Sequence, residues 1–283
     1  MHPGQESTKI HCNGANLALD SAGARDLDEH PKVRSRAGQF NTFRIMLFHK
    51  NKASGRKPLK DEAFQRLKEL GVPVKTVIDV GVLTGTGPLM KEFRDRHHVL
   101  VEAVEEFAPR IRKNYEKLNI EFDLIIAAMS DHDGEVTMQT KSVRDNAAVT
   151  HARITDKRGD GADFRTVPAK TLETLVREGG YAAPFLLKID VDGAELEILK
   201  GARPVLKDCS VICVEAGLKN FVQRADFIVR EGFQPFDIVD LCYYDRRFVQ
   251  ADMIFINNQV IQDLNLEIYR DGFDIEKWEA YEP

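Results

Sequence analysis

The 283-residue chain predicts an α/β fold, a mostly parallel sheet covered by helices on both faces. Three observations carry that reading. From Thr76 onward, short apolar runs alternate with segments whose apolar residues recur every three or four positions, as in strands interleaved with helices. Val77–Val80 breaks abruptly at three glycines spaced G-x-x-x-G-x-G (Gly81, Gly85, Gly87). The run Leu124–Ala128 is nearly all apolar, as expected for a strand buried on both faces.

The elements follow in order. Residues 1–39 are polar and irregular, and Phe40–Lys50 has Phe40, Phe43 and Leu47 at the spacing of a short amphipathic helix. Leu59, Ala63, Leu67 and Leu70 form a helical stripe stopped by Gly71 and Pro73. Thr76–Val80 is the first strand, and the glycine turn feeds a helix through Leu89 and Phe93. Val99–Val101 is the second strand; Phe107, Ile111, Tyr115 and Leu118 then share one helical face. Leu124–Ala128 is the third strand. Glu135–Thr140 and Arg165–Val167 read as shorter accessory strands joined by a long polar segment, 141–163. Leu172–Glu178 is helical, Phe185–Asp190 is a fourth long strand, and Ala194–Lys200 is a helix closed by Gly201 and Pro204. Val211–Glu215 is the fifth strand and Lys219–Glu231 a helix ended by Gly232. Phe233–Val239 and Asp252–Asn257 close the sheet. The domain boundary falls near Lys57.

Apolar content of 43% and charged content of 30% describe a globular chain, and no apolar run approaches the roughly 20 residues of a bilayer span. The start lacks a basic region followed by an apolar core, so no secretory signal is expected. Cys12, Cys209, Cys213 and Cys242 have no metal-ligand rhythm and read as reduced thiols in a cytoplasmic protein. Charge is unevenly spread. Residues 31–60 hold nine Lys or Arg and no acid; the first thirty sum to −3, which leaves −11 of the overall −5 for residues 61–283. Such a domain is a poor nucleic-acid binder. The basic segment 31–60 suits weak contact with an anionic membrane surface or a lipid-linked substrate; the alternative is an arm resting on its own acidic domain or loose in solvent.

Two ligands compete for the glycine turn. A nicotinamide cofactor in a short-chain dehydrogenase also needs a Tyr-x-x-x-Lys pair, and no tyrosine here is followed four residues later by lysine. S-adenosylmethionine needs an acid near the end of the first strand, close backbone, and an acid ending the second strand for the ribose hydroxyls. Asp79, Gly81, Gly85 and Glu102 meet those needs.

VIDVGVLTGT, VLVEAVEEF, AAMSDHDGEVTM, VPAKTLETL and above all LLKIDVDGAELEILKGA resemble the FkbM-type methyltransferases, in order from about Lys75 to Ile256. The resemblance implies a Rossmann-like class I methyltransferase domain over 58–283, a mostly parallel seven-stranded sheet with an antiparallel closing strand. It implies S-adenosylmethionine as methyl donor and O-methylation of a small molecule, sugar or natural product. Two departures stand out: Val82-Leu83 replaces the common Ala-Asn after the first glycine, and Ala103 the common proline after Glu102.

Candidate residues follow. Asp79, Gly81, Gly85, Thr86, Glu102, Ser130 and Asp131 are expected at the donor, with Asp131 reaching the adenine amino group. Asp190 is expected to act as general base or hydrogen-bond acceptor, with Lys188 on its side of the strand and Glu195 in support. The competing role for Asp190 and Asp192 is to cap the next helix. A divalent ion on Asp190, Asp192 and Glu215 is the rival chemistry. His132 reads as an exposed turn residue, and His97 and His98 as surface residues. Arg144, His151, Arg153 and Arg158 suit a carboxylate- or phosphate-bearing acceptor. The partners expected are a small-molecule or glycan acceptor and a second copy in a homodimer.

Overall fold

A computed structural model describes residues 52–53, 56–141, 151–155, 164–268 and 279–280. The expected helix Phe40–Lys50 and most of the basic segment lie outside them. Two units are distinguished. One is represented by Lys52–Ala53 paired in parallel with Glu279–Ala280. The other begins at Pro58 and holds every other described element.

Its main sheet contains β1 (Thr76–Val80), β2 (His97–Glu102) and β3 (Phe122–Ile126). Ala128–Met129 (β4), Gly134–Lys141 (β5), His151–Ile154 (β6) and Phe164–Lys170 (β7) form a separate small sheet, in the order β4-β7-β5-β6. The chain then returns through β8 (Phe185–Ile189), β9 (Cys209–Gly217), β10 (Phe233–Tyr244) and β11 (Arg247–Asn257). Among the described residues the main sheet has seven strands, ordered β10-β11-β9-β8-β1-β2-β3. All pairs are parallel except those of β11, which runs antiparallel to both β9 and β10. Strand order reverses between β1 and β8, the place where α/β sheets bind ligands at their carboxyl ends.

Helices α1 (Lys60–Glu69), α2 (Gly87–Glu92) and α3 (Ala108–Lys117) cover one face, and α4 (Leu172–Gly179), α5 (Glu195–Leu206) and α6 (Phe221–Arg230) the other; α7 (Asn258–Asp263) follows β11. Strand alternation sorts the side chains. Val77, Leu186, Val211, Ile254 and Ile256 pack with Phe64 and Leu67 of α1 and Leu89 of α2. Ile78, Leu187, Ile212 and Phe255 pack with Leu172, Ile198, Leu199 and Ile228 of α4, α5 and α6.

Several expected boundaries move. The helix predicted to close at Gly201 continues to Leu206 through Gly201 and Pro204. The glycine is needed there for packing, since a Cβ on Gly201 would lie 2.3 Å from the Ser130 carbonyl. Leu59 of the predicted stripe is 43% exposed, and Phe64 takes its place in the core. His98 is fully buried, not a surface residue, because β2 starts two positions before its apolar run. Its Nε2 donates to the Phe93 carbonyl at 3.0 Å and its ring meets Tyr115 edge-on. The segment 141–163 holds a strand, β6, paired with the end of β5. Cys209 and Cys213 are free and buried, and Cys12 lies outside the described residues.

Candidate active site

The first strand delivers the chain into a turn where Gly81 takes φ 81° and Gly85 φ 126°. A side chain is impossible at Gly81, because its Cβ would lie 2.0 Å from the Asp190 carbonyl. At Gly85 it would meet Met90 Sδ at 2.8 Å. The glycines therefore let the turn cross the end of β8 closely, and that crossing sets Asp190 against the turn. Leu83 adopts φ 55°, a conformation that favours glycine or asparagine. This is the position where the sequence departs from the common asparagine.

Glu102 fastens the turn from the end of β2. Its Oε2 accepts from Leu83 N at 2.8 Å and its Oε1 from Val104 N at 2.9 Å. Burial pushes its pKa up, while those amides oppose the rise. Each carboxylate oxygen has a second lone pair, so Glu102 keeps capacity for two more donors. Asn114 of α3, which sequence reasoning missed, donates to the Thr84 carbonyl at 2.7 Å.

Asp79 and Lys188 face one another across β1 and β8, with Nζ 2.9 Å from Asp79 Oδ1 and the two side chains 0% and 2% exposed. Lys188 Nζ also donates to the Gly81 carbonyl at 2.9 Å and lies 3.7 Å from Asp190 Oδ2. Asp79 Oδ1 is held by that ammonium, and Asp79 Oδ2 lacks a hydrogen-bond donor among the described residues. Burial alone lowers the Lys188 pKa, but Asp79 and Asp190 raise it further, so the ammonium stays charged. Lys188 is thus a buried prop under the turn.

Glu195 is likewise tied into the fold. It is 1% exposed, forms an ion pair with Arg224 of α6, and its Oε1 accepts from Gly193 N at 3.4 Å. Arg224 further donates to the Glu215 carbonyl at 2.7 Å, locking α5, α6 and β9 together. Asp192 does not cap α5, whose N-cap Ala194 has no side-chain bond; its Oδ2 instead accepts from Ala152 N of β6 at 3.2 Å. Glu215 accepts from Gln250 Nε2 at 2.7 Å. No three His, Cys, Asp or Glu side chains among the described residues converge as metal ligands.

Thr86 is the N-cap residue of α2, without a side-chain cap bond. Ser130 is buried and its Oγ lies 3.3 Å from both Asp131 Oδ1 and His132 Nδ1. Asp131 is exposed and pairs with the exposed His132 at 2.7 Å, which holds its carboxyl below the usual range. Arg153, exposed on β6, donates to Gln139 at 3.3 Å. His151 opens β6 opposite Lys141, and Arg144 and Arg158 lie outside the described residues. A further group was missed altogether: Lys60, with Nζ 2.8 Å from Asp252 and 3.2 Å from Asp240. It belongs to an internal network, not to a basic surface.

The strand order and the acid-supported glycine turn define a class I methyltransferase fold. The family model of the methyltransferase FkbM domain matches residues 79–244, well over half of the chain. The protein belongs to that family and is an S-adenosylmethionine-dependent methyltransferase. No curated protein matches it. Similar solved structures include an rRNA methylase from Streptococcus thermophilus (9% identity, 72% of this chain and 99% of that one, TM-score 0.43). Another is a precorrin-6y C5,15-methyltransferase from Geobacter metallireducens (12% identity, 73% and 95% covered, TM-score 0.39). An O-methyltransferase from Bacillus cereus in complex with SAH is a third (13% identity, 77% and 89% covered, TM-score 0.37).

The residues present fit this donor. A buried carboxylate, Asp79, whose Oδ2 lacks a hydrogen-bond donor among the described residues lies beneath the turn, and Glu102 retains acceptor capacity beside it.

Proposed function

We propose that the protein methylates a hydroxyl oxygen of a small-molecule or glycan acceptor, with Asp190 as the group that accepts or orients the hydroxyl proton. One observation carries this reading: Asp190, its side chain 18% exposed, is clamped directly against the donor turn by the Gly81 crossing. The donor supplies an electrophilic methyl group on a sulfonium. Glu102 would hold the ribose hydroxyls, Asp79 the amino end through water, and Asp131 the adenine amino group. Lys188 keeps the turn and Asp190 in fixed relation through its contacts to Gly81 and Asp190. The −11 on residues 61–283 favours such acceptors over RNA.

The test is Asp190→Asn, assayed by S-adenosylhomocysteine release against hydroxylated acceptors. Turnover should fall by about 10²–10⁴, with donor affinity nearly unchanged. Wild-type turnover in the variant would remove Asp190 from the chemistry and leave proximity as the catalytic effect.

A further inference from the structure

Three strands outrun the rest of the sheet at its ligand end. β9 pairs with β8 as far as Val214 opposite Ile189, then continues to Gly217, where Gln250 of β11 lies opposite. β10 and β11 follow it outward and turn at Asp245 and Arg246. Ile189 is the residue before Asp190, so this overhang rises beside the transfer site as a wall. Alternation sets which side chains line it. Lys188 Nζ is 3.7 Å from Asp190 Oδ2, which puts both on the face shared by Val211, Cys213 and, two residues on, Glu215. Glu215 Oε1 accepts from Gln250 Nε2 at 2.7 Å, so Gln250 belongs to that face too. Glu215 pairs with Asp252, and Gln250 stands two residues further out. From Asp190 that is two strand spacings across and two residues along, on the order of 12 Å between Cα atoms.

Beyond Gln250 the wall is apolar. Phe248 meets Tyr243 edge-on across the hairpin at 5.9 Å between ring centroids, and meets Phe221, the first residue of α6, at 6.2 Å. Tyr243 is 55% exposed, and Leu218 and Val222, which flank Phe221 in the chain, are 63% and 76% exposed. Leu218 N donates to the Val249 carbonyl at 2.8 Å, which holds that connection against β11. A group of exposed apolar side chains beside a site that must receive a second substrate marks a ligand surface; scattered single residues would not. The polar element of the wall is fixed as well. Glu215 takes one N–H of the half-buried Gln250 amide, and the amide retains its other N–H and its carbonyl oxygen. Lys188 and Lys60 are engaged by Asp79 and by Asp240 and Asp252. An anion entering here would face Asp190 and Glu215, so the chemistry favours an uncharged guest.

We propose that Gln250 and the Phe221–Phe248–Tyr243 wall form the methyl-acceptor subsite, and that it takes an uncharged molecule built on an aromatic ring. The ring rests against the wall, a second polar group bonds the Gln250 amide, and the reacting hydroxyl points to Asp190. Glu215 acts through Gln250, as the residue that positions the amide. The role of the molecule as methyl acceptor rests on the O-methylation proposed above; its binding to the wall does not.

Equilibrium dialysis of the full chain with saturating S-adenosylhomocysteine tests this, with β-naphthol and naphthalene-2,6-diol as probes. The diol offers Gln250 a second hydroxyl and should bind about three- to tenfold tighter than β-naphthol. Gln250→Met should abolish that preference and leave β-naphthol affinity as it was. Tyr243→Ala should weaken both probes by about threefold or more. Leu264→Ser, an exposed apolar site after α7, should weaken neither. A β-naphthol affinity unmoved by Tyr243→Ala, a diol preference kept in Gln250→Met, or no binding of either probe overturns the proposal. So does tighter binding of methyl glucoside, or of 6-hydroxynaphthalene-2-sulfonate, the anion that the arginines of 141–163 would favour. If Gln250→Met does not fold, Tyr243→Ala alone decides: weaker β-naphthol binding supports the subsite and equal binding overturns it. Methyl transfer is not read, so a dispensable Asp190 would appear in the rate assay and leave this result intact.

Discussion

The two faces of the seven-stranded sheet are built from the same strands and do different work. Toward α4, α5 and α6, β1, β8, β9 and β11 present Ile78, Val80, Leu187, Ile189, Ile212, Val214, Met253 and Phe255, all apolar along the whole strand length. Toward α1, α2 and α3 the same strands begin apolar, with Val77, Leu186 and Val211, and end charged. Asp79, Lys188 and Glu215 occupy the carboxyl ends of β1, β8 and β9, and Asp252 of the antiparallel β11 lies opposite Glu215, each no more than 8% exposed. Burying such groups is costly unless they are paired, so each sits in a defined contact. One face is a plain core. The other gives up apolar burial at its ligand end to hold charges in place.

Consecutive residues of β8 sharpen this contrast most. Lys188→Met removes the charge partner of Asp79 and should cost about 3–5 kcal/mol of stability. It should also weaken S-adenosylmethionine binding, because the Gly81 carbonyl loses its Nζ donor. Leu187→Ala, one position earlier on the other face, should cost about 2–5 kcal/mol through its cavity. Donor affinity per folded molecule should then be unchanged. Urea unfolding and calorimetry on both variants check this. Equal losses of donor affinity would show that the faces are not separable.

A smaller effect is expected at the turn. Glu102→Ala should lower donor affinity at least tenfold, in line with about 1.5–3 kcal/mol for a hydrogen bond to a charged acceptor. The fold should survive, since Glu102 anchors two loop amides rather than a strand ladder. Unaltered affinity in calorimetry would withdraw the ribose assignment.

The smallest effect should come from Leu83 and be a gain. A left-handed conformation costs a residue with a Cβ roughly 1–2 kcal/mol, and asparagine tolerates it better. Leu83→Asn should therefore raise stability by on the order of 1 kcal/mol, read as a higher midpoint in thermal unfolding. A lower midpoint would mean that the half-buried leucine packs for more than its backbone costs.

The local signals in this chain were those of period and punctuation. Thr76–Val80 was legible to the residue, because an apolar strand ended by a glycine needs no distant information. Asp79 and Glu102 could be placed at strand ends for the same reason, and so could Asp190. Their partners could not. Lys188 looked catalytic from its neighbour in KID, and only the pairing of β8 with β1 showed it turned toward Asp79 and the Gly81 carbonyl, 107 residues away. Glu195 looked like support for Asp190 until α6 brought Arg224 to it. Lys60 read as one more cation in a basic run, whereas Asp252 holds it across 192 residues. Periodicity reports which side of an element is buried. Which opposite charge lies across the interface depends on strand register and helix packing, and those are settled by the whole folded core at once.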